Sequence, residues 1–205
     1  MDKELQIIYN KIKNKENFAF VRFGDGEHNI IKNVSCNRKG FKFDKTRDSV
    51  FRQELIESLK FEDENYYKGL DCSGKNIFSP RVFVNQNYLD FLKNFNPLFE
   101  GCTFVGNIKG RKENLPFKPY SYMAIKNNVW KDIDAQLIEI ALAYWLHDKK
   151  QHIVLVAGGV WANVFIYNLY LRNPNNIYID VGSTYDPFLF DKYTRQYHER
   201  LDNVS

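Results

Sequence analysis

Ile153-Val154-Leu155-Val156, Ala157-Gly158-Gly159, the run Val160–Leu171, Asn173-Pro174-Asn175 and Ile177-Tyr178-Ile179-Asp180-Val181 follow one another within residues 153–181. The first and last runs are short, apolar and rich in β-branched residues, the pattern of strands buried on both faces. Two glycines turn the chain after the first, and Asn-Pro-Asn ends the helix between them. A strand, glycine turn, helix and strand within about thirty residues is the βαβ unit of a parallel sheet. The expected fold is therefore α/β: a single Rossmann-like domain over residues 1–205, with a mostly parallel sheet flanked by helices. The helix at 160–171 is apolar nearly all round, which places it in the core or in an oligomer contact and makes a homodimer reasonable.

Outward from this unit the chain alternates between the two periodicities. Leu5, Ile8 and Ile12 predict an amphipathic helix over 3–14, and Phe18-Ala19-Phe20-Val21 a strand within 17–23. A turn follows, and His28-Asn29-Ile30-Ile31 opens a second helix. Phe51, Leu55 and Leu59 share a face of a helix over 46–60, with Asp48 near its positive end. Short strands are expected at 66–70, 102–106 and 120–125, and a helix at 85–94 with Tyr88, Leu89 and Leu92 inward. A longer helix over 131–147 is expected to bury Ile133, Leu137, Ile140, Ala141 and Tyr144.

The 205 residues carry 29 Lys and Arg against 25 Asp and Glu, a net charge of +4. No long basic block appears, so nucleic acid is not an expected partner. The slight basic excess suits an anionic small ligand or weak peripheral contact with a membrane surface. Cys36, Cys72 and Cys102 are odd in number and widely spaced, which argues against a zinc site or a disulfide framework. The charged start Met1-Asp2-Lys3-Glu4-Leu5 is unlike a signal peptide, and no window is long enough to span a bilayer. The expectation is a soluble, cytoplasmic protein.

The chemistry is expected at Arg22-Phe23-Gly24-Asp25-Gly26-Glu27, where the first strand ends. Ligands of open α/β sheets bind outside the carboxyl ends of the strands. Gly24-Asp25-Gly26-Glu27-His28-Asn29 matches a dinucleotide fingerprint only in its first two glycines, and its acids repel a bare pyrophosphate. A divalent cation reverses that sign by accepting carboxylate and phosphate oxygens together. Asp25 and Glu27, two apart in an extended turn, can share one ion, with Arg22 on a phosphate or on one carboxylate. The competing reading is an Arg–carboxylate network that only caps the turn, and the residues alone leave the two open.

Phe20–Glu27, "FVRFGDGE", resembles the signature of the GT-D glycosyltransferases, the family built on the DUF1792-type domain. The final βαβ unit is similar to that family's ending, whereas residues 35–125 have no residue-by-residue match. The resemblance implies a glycosyltransferase that moves a sugar from a nucleotide-sugar, UDP-linked, to a glycan, glycoprotein or glycolipid acceptor. It implies Asp25 and Glu27 as a D-x-E pair for Mn²⁺ or Mg²⁺ and for the diphosphate, with Arg22 stabilising the departing charge.

Further donor contacts are expected from Gly24, Gly26, Gly158 and Gly159, where backbone and helix amides can approach an anion, and from Asp180 at the end of its strand. Lys109, Arg111 and Lys112 form a charged loop within reach of a phosphate, Ser183 is a weaker candidate, and His28 adjoins the acids. Two other classes remain: a methyltransferase that uses S-adenosylmethionine, and a non-catalytic nucleotide- or glycan-binding module.

Overall fold

A computed structural model describes residues 1–38, 41–131 and 133–203, without the side chains of residues 38, 133–135 and 203. Seven strands form one sheet: β1 (Phe18–Arg22), β4 (Tyr66–Gly69), β5 (Ile77–Phe78), β6 (Thr103–Asn107), β7 (Ser121–Ile125), β8 (Ile153–Val156) and β9 (Ile177–Asp180). Their order is β5-β4-β1-β9-β8-β6-β7, and every pairing within it is parallel. Two further strands, β2 (Cys36–Arg38) and β3 (Phe41–Phe43), pair antiparallel apart from the sheet. The sequence reading missed β2, β3 and β5, each of three residues or fewer.

Strand alternation divides the core into two layers. Ala19, Val21, Val105, Val154, Val156 and Tyr178 face one layer. That layer is covered by α2 (Asp25–Ile31), α3 (Ser49–Lys60), α5 (Ile133–Leu146) and α6 (Trp161–Arg172). Phe18, Phe20, Phe104, Leu155, Ile177 and Ile179 face the other. There α1 (Lys3–Lys13), α4 (Tyr88–Phe95) and α7 (Asp186–Phe190) close the core. The result is a parallel α/β sheet with helices on both faces, as the βαβ pattern predicts.

Two packing expectations resolve differently. The helix α6 is a core element: Trp161, Ala162, Val164, Phe165, Ile166 and Leu169 are all buried against the sheet, so its apolar girth serves the interior. The expected inward face of α5 is its outward face. Leu137, Ile140 and Tyr144 are 57%, 58% and 85% exposed, and Ala141 is exposed too. Leu142 and Leu146 are buried instead. The side chain of Ile133 lies outside the described residues. The cause is visible in the segment itself, whose apolar residues supply two competing stripes, so spacing alone does not select the buried one. Among the described residues no helix is long and apolar enough to cross a membrane.

Candidate active site

The topology creates one crevice. From β1 the chain leaves through α2 toward one face of the sheet, and from β9, β1's parallel neighbour, it leaves through α7 toward the other. Connections diverging from adjacent strands open a cleft at their carboxyl ends. Arg22 and Asp180 end these two strands, and Arg22 Nε donates to Asp180 Oδ2 at 3.4 Å. The second oxygen of Asp180 accepts from the Gly182 amide at 2.8 Å. Burial pushes the Asp180 carboxyl above its usual range, and the neighbouring guanidinium opposes that shift. From α6, Asn163 Nδ2 donates to the Arg22 carbonyl at 2.9 Å and fixes the strand's end.

Gly182 completes this floor. Its φ is +50°, and a Cβ there would overlap Nη2 of Arg22. The guanidinium therefore lies in space that only glycine leaves open.

The acids do not sit in an extended turn. Asp25 is the first residue of α2, Glu27 the third, and Gly24 the N-cap. Glu27 Oε2 accepts from the Gly24 amide at 2.9 Å, which ties the carboxylate back over the helix start. Asp25 is exposed at the rim, whereas Glu27 is partly buried. Burial pushes the Glu27 carboxyl up to about 7; amide hydrogen bonds oppose the shift, and the nearby Asp180 charge adds to it. Side chains two apart on a helix diverge, yet both of these open onto the same cleft, because they occupy the helix's first turn. Gly26 lets that turn sit close, since a Cβ would meet Phe41 and Val160 at 3.1 Å.

The cleft encloses about 1160 Å³, and all eight expected site residues line it: Arg22, Gly24, Asp25, Gly26, Glu27, Gly158, Gly159 and Asp180. Ser183, Lys109 and Arg111 line it as well, while His28 and Lys112 do not. Gly158 and Gly159 lead from β8 into α6, whose N-terminus carries no side-chain cap. The Ala162 amide at that start donates to the Gly159 carbonyl at 3.0 Å.

The cleft has two unlike lips. On the face of the sheet that carries α2, the lip holds Asp25 and Glu27 beside Phe41, Val129, Trp130 and Val160. On the opposite face, the loop after β6 and the segment after α7 contribute Lys109, Arg111, Lys192 and Arg195.

Nine-tenths of the chain, and not the cleft alone, is similar in fold to solved structures. A domain of unknown function 1792, described as having a distinct glycosyltransferase fold, matches with a TM-score of 0.62 at 15% identity, over 90% of this chain and 79% of its own. A glycosyltransferase (DUF1792) from Streptococcus sanguinis matches with a TM-score of 0.63 at 15% identity, over 90% of this chain and 82% of its own. This chain has the DUF1792 glycosyltransferase fold. No protein-family model and no curated protein matches it.

One part of this DUF1792-type fold was not legible as a site in the sequence. Residues 191–203 follow α7 as a turn and a 3-10 segment, and bring Lys192, Tyr193, Thr194 and Arg195 to the cleft. The segment is clamped by His198, which is fully buried. Its Nδ1 faces the amides of Thr194 and Arg195 at 3.2 and 3.3 Å, and its Nε2 lies 3.0 Å from the Ser183 carbonyl. These partners require a neutral ring with the proton on Nε2. Burial lowers the His198 pKa to about 4, the Ser183 bond opposes that, and the Arg195 charge reinforces it. The one available signal was the chemistry-bearing string Lys192-Tyr193-Thr194-Arg195, which has no strand or helix periodicity to place it.

Proposed function

We propose that this protein is a glycosyltransferase that moves a sugar from a nucleoside diphosphate-sugar, UDP-linked, to a hydroxyl of a glycan or glycoconjugate acceptor. The observation that carries the reading is the convergence of Arg22, Asp25, Glu27 and Asp180 on one cleft, at the point where the connections of a DUF1792-type sheet diverge. In the transfer, the bond between the sugar's anomeric carbon and the diphosphate oxygen breaks. The acceptor oxygen bonds that carbon and loses its proton, and the nucleoside diphosphate departs with the electron pair.

Asp25 and Glu27 fit a hard dication of the Mg²⁺ or Mn²⁺ kind. Their donors are all oxygen, Asp25 is exposed at the rim, and Glu27 keeps one oxygen clear of its bond to Gly24. Among the described residues no group of three or more His, Cys, Asp or Glu surrounds the position. Two protein carboxylates, with diphosphate oxygens and water, suit the way such ions are shared with nucleotides. When bound, the ion would offset negative charge on the departing diphosphate. Arg22, held by Asp180 at the cleft floor, adds fixed positive potential beneath the same group. Gly158 and Gly159 line the cleft at the start of α6, where the helix dipole favours an anion.

The test is a thermal-shift and calorimetric panel of nucleotides, S-adenosylmethionine included, with and without Mn²⁺. UDP should stabilise the protein far more with the metal present, and Asp25→Asn should abolish that metal dependence. Incubation with UDP-sugars should release free UDP. Preferential binding of S-adenosylmethionine, or UDP binding that ignores both metal and Asp25→Asn, overturns the reading.

A further inference from the structure

We propose that the lip opposite Asp25 is a preformed diphosphate clamp, built by Lys192 and Arg195 of the segment after α7 together with Lys109 and Arg111 of the loop after β6. The inference deepens the reading above for its nucleotide, but its anion site stands on observations of its own.

The first is the charge balance of the lip. The Arg111 guanidinium pairs with Asp191 at 3.1 Å, and Asp186 Oδ2 accepts from the Thr194 hydroxyl at 2.5 Å. No salt bridge is found for Lys109, Lys192 or Arg195 among the described residues, although all three line the cavity. Lys109, Arg111, Lys192 and Arg195 outnumber the acids beside them, Asp186 and Asp191, and such an excess on one wall of a concave site focuses a positive field into it. The facing wall carries Asp25 and Glu27, so the cation-rich lip and this acid pair stand on different sides of the cleft, with Asp186 on the cation-rich side. A diphosphate lying between the two walls would meet these cations on one side and the dication held by Asp25 and Glu27 on the other.

The second is that the lip is already organised. Arg195 Nε donates to Ser183 Oγ at 3.3 Å, and Ser183 Oγ lies 2.9 Å from the Tyr197 hydroxyl. Its backbone is held by His198, itself bonded to the Ser183 carbonyl. The Arg111 amide donates to the Leu189 carbonyl at 2.8 Å, which ties the loop after β6 to α7, the helix from which the other segment leaves. With Nε occupied by Ser183, the terminal nitrogens of Arg195 remain for the planar, bidentate contact that guanidinium makes with phosphate. Ordering that is complete before binding need not be supplied by the ligand.

The experiment is calorimetry with inorganic pyrophosphate, UDP and uridine, each in EDTA and in Mn²⁺. It compares wild type, Lys192→Ala with Arg195→Ala, and Lys149→Ala with Lys150→Ala, which removes the same charge at an exposed site away from the cleft. Lys192 and Arg195 are exposed, so thermal melts should show the first double variant folded. Its affinity for pyrophosphate and for UDP should fall at least about tenfold in EDTA, with uridine unchanged and the control pair like wild type; Arg195→Lys should be intermediate.

No pyrophosphate binding to wild type, equal losses in both double variants, or no loss in the first would each overturn the clamp. Pyrophosphate binding that depends on Lys192 and Arg195, without tighter binding of any nucleoside diphosphate, would uphold the clamp and remove the nucleotide-sugar reading. UDP binding that ignores these two residues would do the reverse.

Discussion

The guanidinium of Arg22 fills the place that any side chain on Gly182 would need. Residue 182 is in the left-handed region with φ +50°, directly over the arginine that floors the cleft. Gly182→Ala therefore carries a double penalty: about 1–2 kcal/mol for the backbone conformation, and displacement of Arg22. Chemical denaturation should show at least that loss, and calorimetry a marked weakening of UDP binding. A variant with wild-type stability and wild-type affinity would show that the arginine is not held where it is described.

Asp180 should be as important to the floor as its partner. It is 4% exposed, and its two oxygens serve Arg22 and the Gly182 amide. Asp180→Ala leaves the arginine enclosed without its counter-charge, and removing one member of a buried pair typically costs about 3 kcal/mol. Urea unfolding at neutral pH measures this; a loss below half that size would mean that the pair is better solvated than its burial indicates.

Glu27 predicts an unusual pH dependence. Its carboxyl titrates near 7 in the fold, against an ordinary value of 4.5. The folded state holds the proton more tightly than the unfolded chain, so this contribution is complete below about 4.5 and disappears as the pH rises through 7. Glu27→Gln keeps an oxygen for the Gly24 amide but cannot ionise. Its melting temperature should exceed wild type at pH 8 by on the order of 5 °C, and the gap should close toward pH 5. On the proposed function a dication favours the ionised form, so Mn²⁺-dependent UDP binding should weaken by up to about tenfold per pH unit below 7.

His198 carries the opposite sign. Its pKa is lowered to about 4 from 6.5, so the stability it lends is complete above 6.5 and is lost as the pH falls toward 4. The clamped segment should loosen across that window, which hydrogen exchange at the Thr194 and Arg195 amides would follow. His198→Gln should flatten the acid dependence of both readouts.

The surface of α5 separates two readings of one helix. Leu137→Ser and Tyr144→Ser should change stability by no more than about 0.5 kcal/mol, as exposed positions do. Leu142→Ala and Leu146→Ala should each cost about 2–5 kcal/mol, because both side chains are buried in the core layer. Equal losses at the two pairs would restore the face that spacing alone suggests.

The contrast between α5 and α6 shows where sequence patterns carry information. The βαβ unit around Gly158 was readable because length, glycine punctuation and β-branched content all agree there. The apolar character of α6 correctly pointed inward as one of two options. In α5, apolar residues fall on both sides of the helix, so its orientation is decided by the sheet it meets and not by its own periodicity. The cleft was half readable. Arg22 through Glu27 announce themselves by crowding charge into a glycine turn, although the turn proved to be a helix start. Lys192, Arg195 and His198 gave no such signal, because only tertiary packing brings residues 191–198 back to the ends of β1 and β9.

The pairing of β1 with β9 has a consequence for how the protein comes into being. The strand at residues 18–22 finds one of its two neighbours at residues 177–180, so the middle of the sheet joins segments far apart in sequence. During synthesis on the ribosome, the strand at residues 18–22 must wait for residues 177–180 to emerge before it is enclosed. A nascent chain stopped short of residue 177 would hold helices and partial strand pairs but no Arg22–Asp180 contact, and competence to bind ligand should arrive in a single late step.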